Sequence, residues 1–461
     1  MTDTTTRPST AAAIERLRAG LTGRVVTATD PDYDALRAVM VGGIDARPTA
    51  IARVADADDV ALAVTVARET GLELAVRSGG HSGAGHSTVE GGLVVDLRDL
   101  DSLDIDVDGR TAWAGAGLTA GAYTTATGAH GLATGFGDTG SVGLGGITLG
   151  GGVGYLGRKH GLTIDSLLAA EIVTADGAIR VVDAETEPDL FWAIRGGGGN
   201  VGIATRFRFR LHELPSIVGG ILILPATPET VAGFVAAADA APDELSAIGN
   251  VMPCPPMPFV PEERHGELVI FAIVVYAGDT AAGERAVAPF RALATPIADL
   301  ITESPYASIY PPEDVDYHPL AVARTLFMDH IGLDEARTII ERLEASDASM
   351  RAAQLRVLGG AIARVPVNAT AYAHRASRIM VNVAAFYEGD TDRPSKERWV
   401  ESFADALHQG DDGAYVNFLV DEGPERIRAA YPGATWDRLA AIKRRYDPTN
   451  LFHRNQNVPP A

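Results

Sequence analysis

Twelve of the twenty-seven residues between positions 135 and 161 are glycine. Glycine tolerates φ > 0 and lets main chain come close to a neighbour or a ligand. The runs Gly135-Phe136-Gly137-Asp138-Thr139-Gly140-Ser141-Val142-Gly143-Leu144-Gly145-Gly146 and Gly150-Gly151-Gly152-Val153-Gly154 therefore predict exposed backbone N–H groups arranged as anion nests. The plain structural alternative is a flexible or tightly packed loop. Upstream lies Arg77-Ser78-Gly79-Gly80-His81-Ser82, an imidazole on a glycine-lined loop. Together the two stretches predict a large phosphate-bearing cofactor gripped by main chain. Gly152-Val153-Gly154-Tyr155-Leu156-Gly157 matches G-x-G-x-x-G letter for letter. No hydrophobic strand leads into it, so a Rossmann unit is not expected.

The 461 residues exceed a single small core and predict two or three domains. Lys and Arg total 39 against 60 Asp and Glu, a net charge of −21. That surface repels nucleic-acid phosphates and anionic lipid, which excludes both as partners. The single cysteine, Cys254, rules out an internal disulfide and a multi-thiolate metal site. Residues 1–7 lack the apolar run of a signal peptide. The longest apolar stretch, around 268–276, is far short of the roughly 20 residues of a membrane span. A cytoplasmic protein is expected.

Hydrophobic periodicity predicts helices over 11–21 and 54–70, and strands over 74–77 and 93–97. Residues 168–182 read as a hairpin whose Asp176-Gly177 suits a type I′ turn. Residues 188–194 read as a helical turn ending in Arg195-Gly196-Gly197-Gly198-Gly199-Asn200. Arg206-Phe207-Arg208-Phe209-Arg210-Leu211 alternates strictly, so its apolar face is buried and its arginine face solvated or anion-facing. Near Pro215 the character changes, and most prolines lie beyond it. Strands are expected over 221–224, 268–276, 355–358 and 380–386, and helices over 227–238, 281–294, 334–345 and 393–407. This is the pattern of an α+β unit with an antiparallel sheet. A helix over 436–446, started by Thr435 and stopped by Asp447-Pro448, follows near the C-terminus.

His81 and His86 stand five residues apart, with no carboxylate cluster beside them, so a metal site is not expected. His81 then reads either as a loop histidine bonded to backbone or as a nucleophile.

Four ordered motifs decide between these readings: the 77–82 run, Gly91-Gly92-Leu93-Val94-Val95-Asp96-Leu97, the 141–154 tract, and Tyr446-Asp447-Pro448-Thr449-Asn450-Leu451-Phe452 with Asn455-Gln456-Asn457. As a set they resemble the FAD-linked oxidases of the vanillyl-alcohol-oxidase superfamily, with a PCMH-type FAD-binding domain, in the berberine-bridge-enzyme-like branch. The resemblance covers about residues 40–461. It implies an α+β fold: a lead-in over 1–36, an FAD-binding PCMH-type domain over 37–215, an inserted substrate domain over 216–410, and a C-terminal segment over 411–461 that completes the FAD domain.

The resemblance further implies that His81 bonds covalently to the flavin 8α carbon, which requires a neutral imidazole. Arg77, Ser78, Gly79, Gly80 and Ser82, with Asp138, Thr139, Ser141, Val142, Gly145, Gly146, Gly151, Gly154 and Tyr155, would cradle pyrophosphate and isoalloxazine. Gly202 and Ile203 would lie by the adenine or ribose, and Asn417, Asn455 and Asn457 would support the cofactor. Many relatives carry a second flavin bond, to a cysteine six residues before Gly145. Here that position is Thr139, which cannot form a thioether, so a single link is expected. Val142 would face the flavin and gate oxygen, or simply pack. Tyr415-Val416-Asn417 matches the family's Tyr-x-Asn strand, with Tyr415 or a neighbour taking the substrate's proton. Gln354 and Arg356 alternate on one strand face, so Arg356 either supplies charge to Tyr415 or forms a surface salt bridge. His374 either lines the pocket or satisfies a buried network. The implied function is hydride transfer from a C–H beside a hydroxyl or amine of a small molecule to FAD, with O2 as oxidant and H2O2 as product. A dehydrogenase with another acceptor and a non-catalytic flavin-binding protein are the alternatives. Substrate identity and oligomeric state stay open.

Overall fold

The computed structural model describes residues 9–311 and 317–461; the stretch read above for a leader lies outside them. The fold is α+β with mostly antiparallel sheets. A four-stranded sheet is ordered Arg24–Val26, Ala50–Arg53, Leu93–Asp96, Leu74–Arg77. Its last three strands run parallel, and the first pairs antiparallel with the second. The expected lead-in is thus not a bare helix and loop: it contributes an edge strand, and its helix Thr10–Gly20 packs on Ala57–Thr70. The latter helix is capped by the Asp56 carboxylate, which accepts from Asp59 N, and ends on Gly71 at φ +74°.

A five-stranded antiparallel sheet follows, ordered Leu103–Asp106, Thr111–Gly115, Ile203–Arg210, Leu167–Val173, Ile179–Asp183. Its central strand behaves as its alternation requires. Phe207 and Phe209 are fully buried, while Arg206 is exposed, 3.0 Å from Glu171. Phe209 meets Tyr123 and Phe136 edge-on at 5.8 and 5.4 Å. The Leu167–Val173/Ile179–Asp183 hairpin forms, but its turn is not type I′. Gly177 alone has φ > 0 (+83°), and Gly177 N donates to Thr174 O while Thr174 N donates to Ala178 O. The Asp176 carboxylate takes Thr174 Oγ1–H and Ala178 N–H, which favours this wider, glycine-closed loop over a two-residue turn.

The large sheet is antiparallel throughout, in the order Ala298–Asp299, Ile217–Pro225, Leu268–Tyr276, Leu245–Pro253, Arg351–Val357, Ile379–Phe386, Ala321–Met328, with Thr302–Ser304 also on Ile217–Pro225. One face is covered by helices Pro228–Ala240, Leu333–Glu344 and Arg393–Leu407. Leu333–Glu344 buries Ala336, Ile339, Ile340 and Leu343, the spacing of one helical stripe. The opposite face carries Asn250, Gln354 and Arg356 towards the glycine tract.

The last segment returns to the first part of the fold. Helix Ala434–Tyr446 begins after Gly433 (φ +54°), with no side-chain cap, so Thr435 lies inside it rather than starting it. It does stop at Asp447. There Lys443 and Asp447, both fully buried, stand 3.1 Å apart. Lys443 also donates to Asn200 O (2.9 Å) and Phe452 O (2.7 Å), and Asp447 accepts from Leu451 N and Phe452 N. The pair thereby ties the 195–200 glycine run to the C-terminal tail. Among the described residues no helix is long and apolar enough to cross a membrane. Removing one partner of such a pair leaves an uncompensated buried charge, so Asp447→Ala is expected to destabilise the fold by about 3–5 kcal/mol, read from urea denaturation.

Candidate functional site

The site begins with a backbone contact. A Cβ on Gly79 would stand 2.4 Å from Gly143 N, and one on Gly143 would stand 2.0 Å from Ser78 Oγ. Only glycine at both positions lets the loop after strand Leu74–Arg77 lie against the 141–146 loop. Ser78 Oγ–H donates to Ala116 O at 2.7 Å, and Ser78 Oγ accepts Gly145 N–H at 3.3 Å. Across this junction His81 Nε2 and Ser141 Oγ are 3.0 Å apart. The 141–154 tract is not all loop: residues Leu144–Gly150 form two helical turns.

These loops wall a cavity of about 400 Å³. Of the expected cofactor residues, Ser78, Gly79, Gly80, His81 and Ser82 line it from one loop, and Asp138, Thr139, Val142, Gly145 and Gly146 from the next. Gly202, Ile203, Asn417 and Asn455 close the far walls. Seven expected residues do not line it. Arg77 is buried, its guanidinium donates to Leu36 O, and desolvation lowers its pKa to about 10. Ser141 stands behind His81, its Oγ 3.0 Å from the Nε2. Gly151 backs onto Tyr372 and Tyr415. Gly154 is pressed against Phe136 O, where a Cβ would come within 1.7 Å. Tyr155 is fully buried in an apolar cluster with Leu156 and Ile217. Gln354 reaches the wall through Arg356. Asn457 points its Oδ1 into protein, where it is buried without a partner.

Gly198, Gly199, Phe418 and Arg454 also line the cavity and were not expected there. The four-glycine run before Asn200 was the available signal for the first two. Arg454 and Phe418 have no local signature.

The cavity fits FAD in its chemistry. Gly146 faces it with nothing within 4 Å of a hypothetical Cβ, and Gly199 has nothing nearer than 3.9 Å, so any side chain at either position would fill the cradle rather than clash with protein. The Asn455 amide donates to Gly199 O and Phe452 O and bridges the glycine run to the tail.

One end of the cavity gathers the expected catalytic groups. Tyr415 does not sit on a strand; it precedes the 3₁₀ turn Val416–Phe418. That turn brings Asn417 beside it, and Asn417 Nδ2 donates to Tyr415 Oη at 3.0 Å. Gly152 N donates to the same oxygen at 3.0 Å. Burial raises the phenol pKa above 10; the bonds from Asn417 and Gly152, and the Arg356 charge, pull the other way without reversing it. No described protein group accepts the phenol's own proton, which leaves it available to a molecule in the cavity.

Arg356 is 3% exposed, so the surface salt bridge is not what forms. It pairs with Asp138, donates to Gln354 Oε1 at 3.0 and 2.7 Å and to Val153 O at 3.1 Å, and stacks 4.9 Å over Phe418. Tyr415 and Arg356 thus bond the main chain of adjacent residues, Gly152 through its N–H and Val153 through its carbonyl. His374 belongs to a buried network and not to the cavity: its Nε2 lies 3.1 Å from Ala430 O, its ring stacks on Phe327 at 4.9 Å, and burial lowers its pKa. His86 lines the cavity, and burial lowers its pKa to about 4. Among the described residues no group of three or more His, Cys, Asp or Glu could hold a metal ion. Cys254 is buried among Ile223, Val260 and Val269, away from the cavity.

Gly146→Leu adds a side chain that meets no protein atom but enters the cradle. The variant is expected to melt near the wild-type temperature and to purify with little or no flavin, measured by visible absorbance against protein content.

The FAD binding domain family matches residues 48–183, and the berberine and berberine-like family matches 414–459. (R)-6-hydroxynicotine oxidase of Paenarthrobacter nicotinovorans is 31% identical over 458 residues, covering 95% of this chain and 97% of its own. Xylooligosaccharide oxidase of Thermothelomyces thermophilus is 29% identical, covering 90% and 88%. The crystal structure of 6-hydroxy-D-nicotine oxidase from Arthrobacter nicotinovorans superposes with a TM-score of 0.84 at 28% identity, covering 96% of this chain and 98% of that one. With both family models matched and the hydroxynicotine oxidase aligned almost end to end, the chain belongs to the berberine-bridge-enzyme-like branch of the PCMH-type FAD-linked oxidoreductases.

Proposed function

We propose that this FAD-linked oxidoreductase is an oxidase of a small hydroxyl- or amine-bearing molecule and that its flavin is held by one covalent bond, to His81. The observation that carries the reading is the position of His81 in the wall of the same cavity as Tyr415 and Arg356, while Cys254 lies outside it and Thr139 occupies the wall position a second link would need. The relatives named for oxidising hydroxynicotine and xylooligosaccharides support an oxidase. Bound FAD supplies a two-electron acceptor that O2 reoxidises, releasing H2O2.

The chain's own residues bind, orient and move a proton. The glycine loops hold phosphate and ring through main chain, and the Ser141 hydroxyl beside His81 Nε2 fixes the imidazole's orientation. Val142, in the wall, controls the approach of oxygen. Tyr415 Oη receives the substrate's proton. The two hydrogen bonds donated to that oxygen stabilise the phenolate it must reach, and burial opposes them. A cytoplasmic location belongs to the same reading, since the fold uses its one cysteine as a buried free thiol.

Two experiments test this. Acid precipitation of wild type should leave a yellow pellet, and His81→Ala should release the colour to the supernatant; a yellow His81→Ala pellet, or a cysteinyl-flavin peptide by mass spectrometry, would overturn the single link. Second, flavin reduction should depend on the phenolate. A phenol whose pKa is raised on burial is mostly protonated at neutral pH, so the reduction rate should climb with pH without levelling below about pH 10. Tyr415→Phe should remove that climb and slow reduction by roughly 10²–10⁴-fold, with oxygen reaction changed far less. Stopped-flow absorbance separates the two half-reactions, and slow reoxidation of wild type would point to a dehydrogenase instead.

A further inference from the structure

Charged groups are few in the cavity wall. Among the described residues they are Asp138, Arg356 and Arg454, apart from the imidazoles of His81 and His86. Arg454 is fastened elsewhere: it donates to Gly85 O and Thr88 O and lies 3.7 Å from Glu73. At the end that holds Tyr415, the guanidinium of Arg356 and the carboxylate of Asp138 therefore face each other.

Their bonds are unevenly shared. Asp138 Oδ2 takes the Arg356 Nη2–H and, at 3.5 Å, Gln354 Nε2–H. Asp138 Oδ1 accepts the Thr139 hydroxyl, at 3.4 Å. Arg356 also donates through Nε and Nη2 to Gln354 Oε1 and through Nη1 to Val153 O. The Arg356 side chain is 4% exposed and that of Asp138 22%, so the carboxylate is the member that faces the cavity. The surrounding polar groups are uncharged: Gln354, Asn250 3.0 Å from it, and the phenols of Tyr415 and Tyr155.

We propose that Asp138 is a specificity-determining residue that caps Arg356, so that this end of the cavity is electrically balanced and admits an uncharged hydroxyl- or carbonyl-bearing group rather than an acid. An anion entering here meets the carboxylate first and must displace it to reach the guanidinium. Selectivity then comes from repulsion as well as from contact. The Asp138 residue lies 218 positions from Arg356 in sequence, on the glycine tract rather than the sheet, so cofactor loop and substrate sheet share one ion pair. The inference rests on the cavity being the flavin site.

The test uses the flavin-loaded protein and sulfite, an inorganic anion that adds to oxidised flavin and bleaches its visible band. Asp138→Asn uncovers the guanidinium and should tighten sulfite binding about tenfold or more over wild type, because one buried positive charge is no longer cancelled. Asp138→Asn/Arg356→Gln should lose that gain. Arg356→Gln alone, readable even if Asp138→Asn fails to fold, should weaken sulfite binding, since the carboxylate then stands uncapped. Unchanged or weaker binding in Asp138→Asn, a gain that survives loss of Arg356, or unchanged or tighter binding in Arg356→Gln would each overturn the proposal. A wild type that purifies without flavin would fail the cofactor reading, visibly before any sulfite is added, and the proposal would fall with it.

Discussion

The backbone contact between Gly79 and Gly143 is the constraint on which the rest of the site depends. It sets two loops distant in sequence against each other with no side chain between them. His81 and Ser141 follow from it, because each sits two residues from the point of contact. A single methyl group at Gly143 would meet Ser78 Oγ and the Gly79 amide at once. The glycine density seen along the chain is thus a requirement of packing at some positions and of ligand access at others. Gly154, pressed on Phe136 O, belongs to the first kind; Gly146, open to the cavity, belongs to the second.

A second theme is the balance of charge at the catalytic end. Tyr415 is buried, which favours its neutral form, yet both hydrogen bonds to its oxygen are donated, which favours the anion. Arg356 adds positive charge nearby, and Asp138 takes much of it away. The phenol is therefore set by three neighbours from three parts of the chain: Gly152 in the tract, Asn417 in the tail and Arg356 on the sheet.

Much of this was legible in the residues. The strands Leu74–Arg77 and Leu268–Tyr276 and the helix Arg393–Leu407 have the limits their periodicity predicts. The strands Leu245–Pro253 and Ala321–Met328 were not foreseen. Gly249 and Asn250 interrupt the first, and alanines and Arg324 dilute the second, so their apolar alternation is weak although neighbouring strands hold both in register. Within the site, His81 and Tyr415 stand in short ordered motifs and could be found by reading along the chain. The pairing of Asp138 with Arg356 could not. It joins residues from different sheets and loops, and nothing local to either one announces the other. Arg77, at the head of the most recognisable motif, proves to be a buried brace for Leu36 O rather than a ligand of the cavity.

The tail has one more consequence. Tyr415, Asn417, Phe452, Arg454 and Asn455 all line the cavity, and Lys443 with Asp447 pins that tail onto the 195–200 run. A polypeptide emerging from the ribosome therefore displays its glycine loops long before the chamber has a closing wall. Prosthetic-group capture must wait until residues 415–455 have been made, and a product stalled ahead of Tyr415 would own the loops yet have nothing to shut behind the guest.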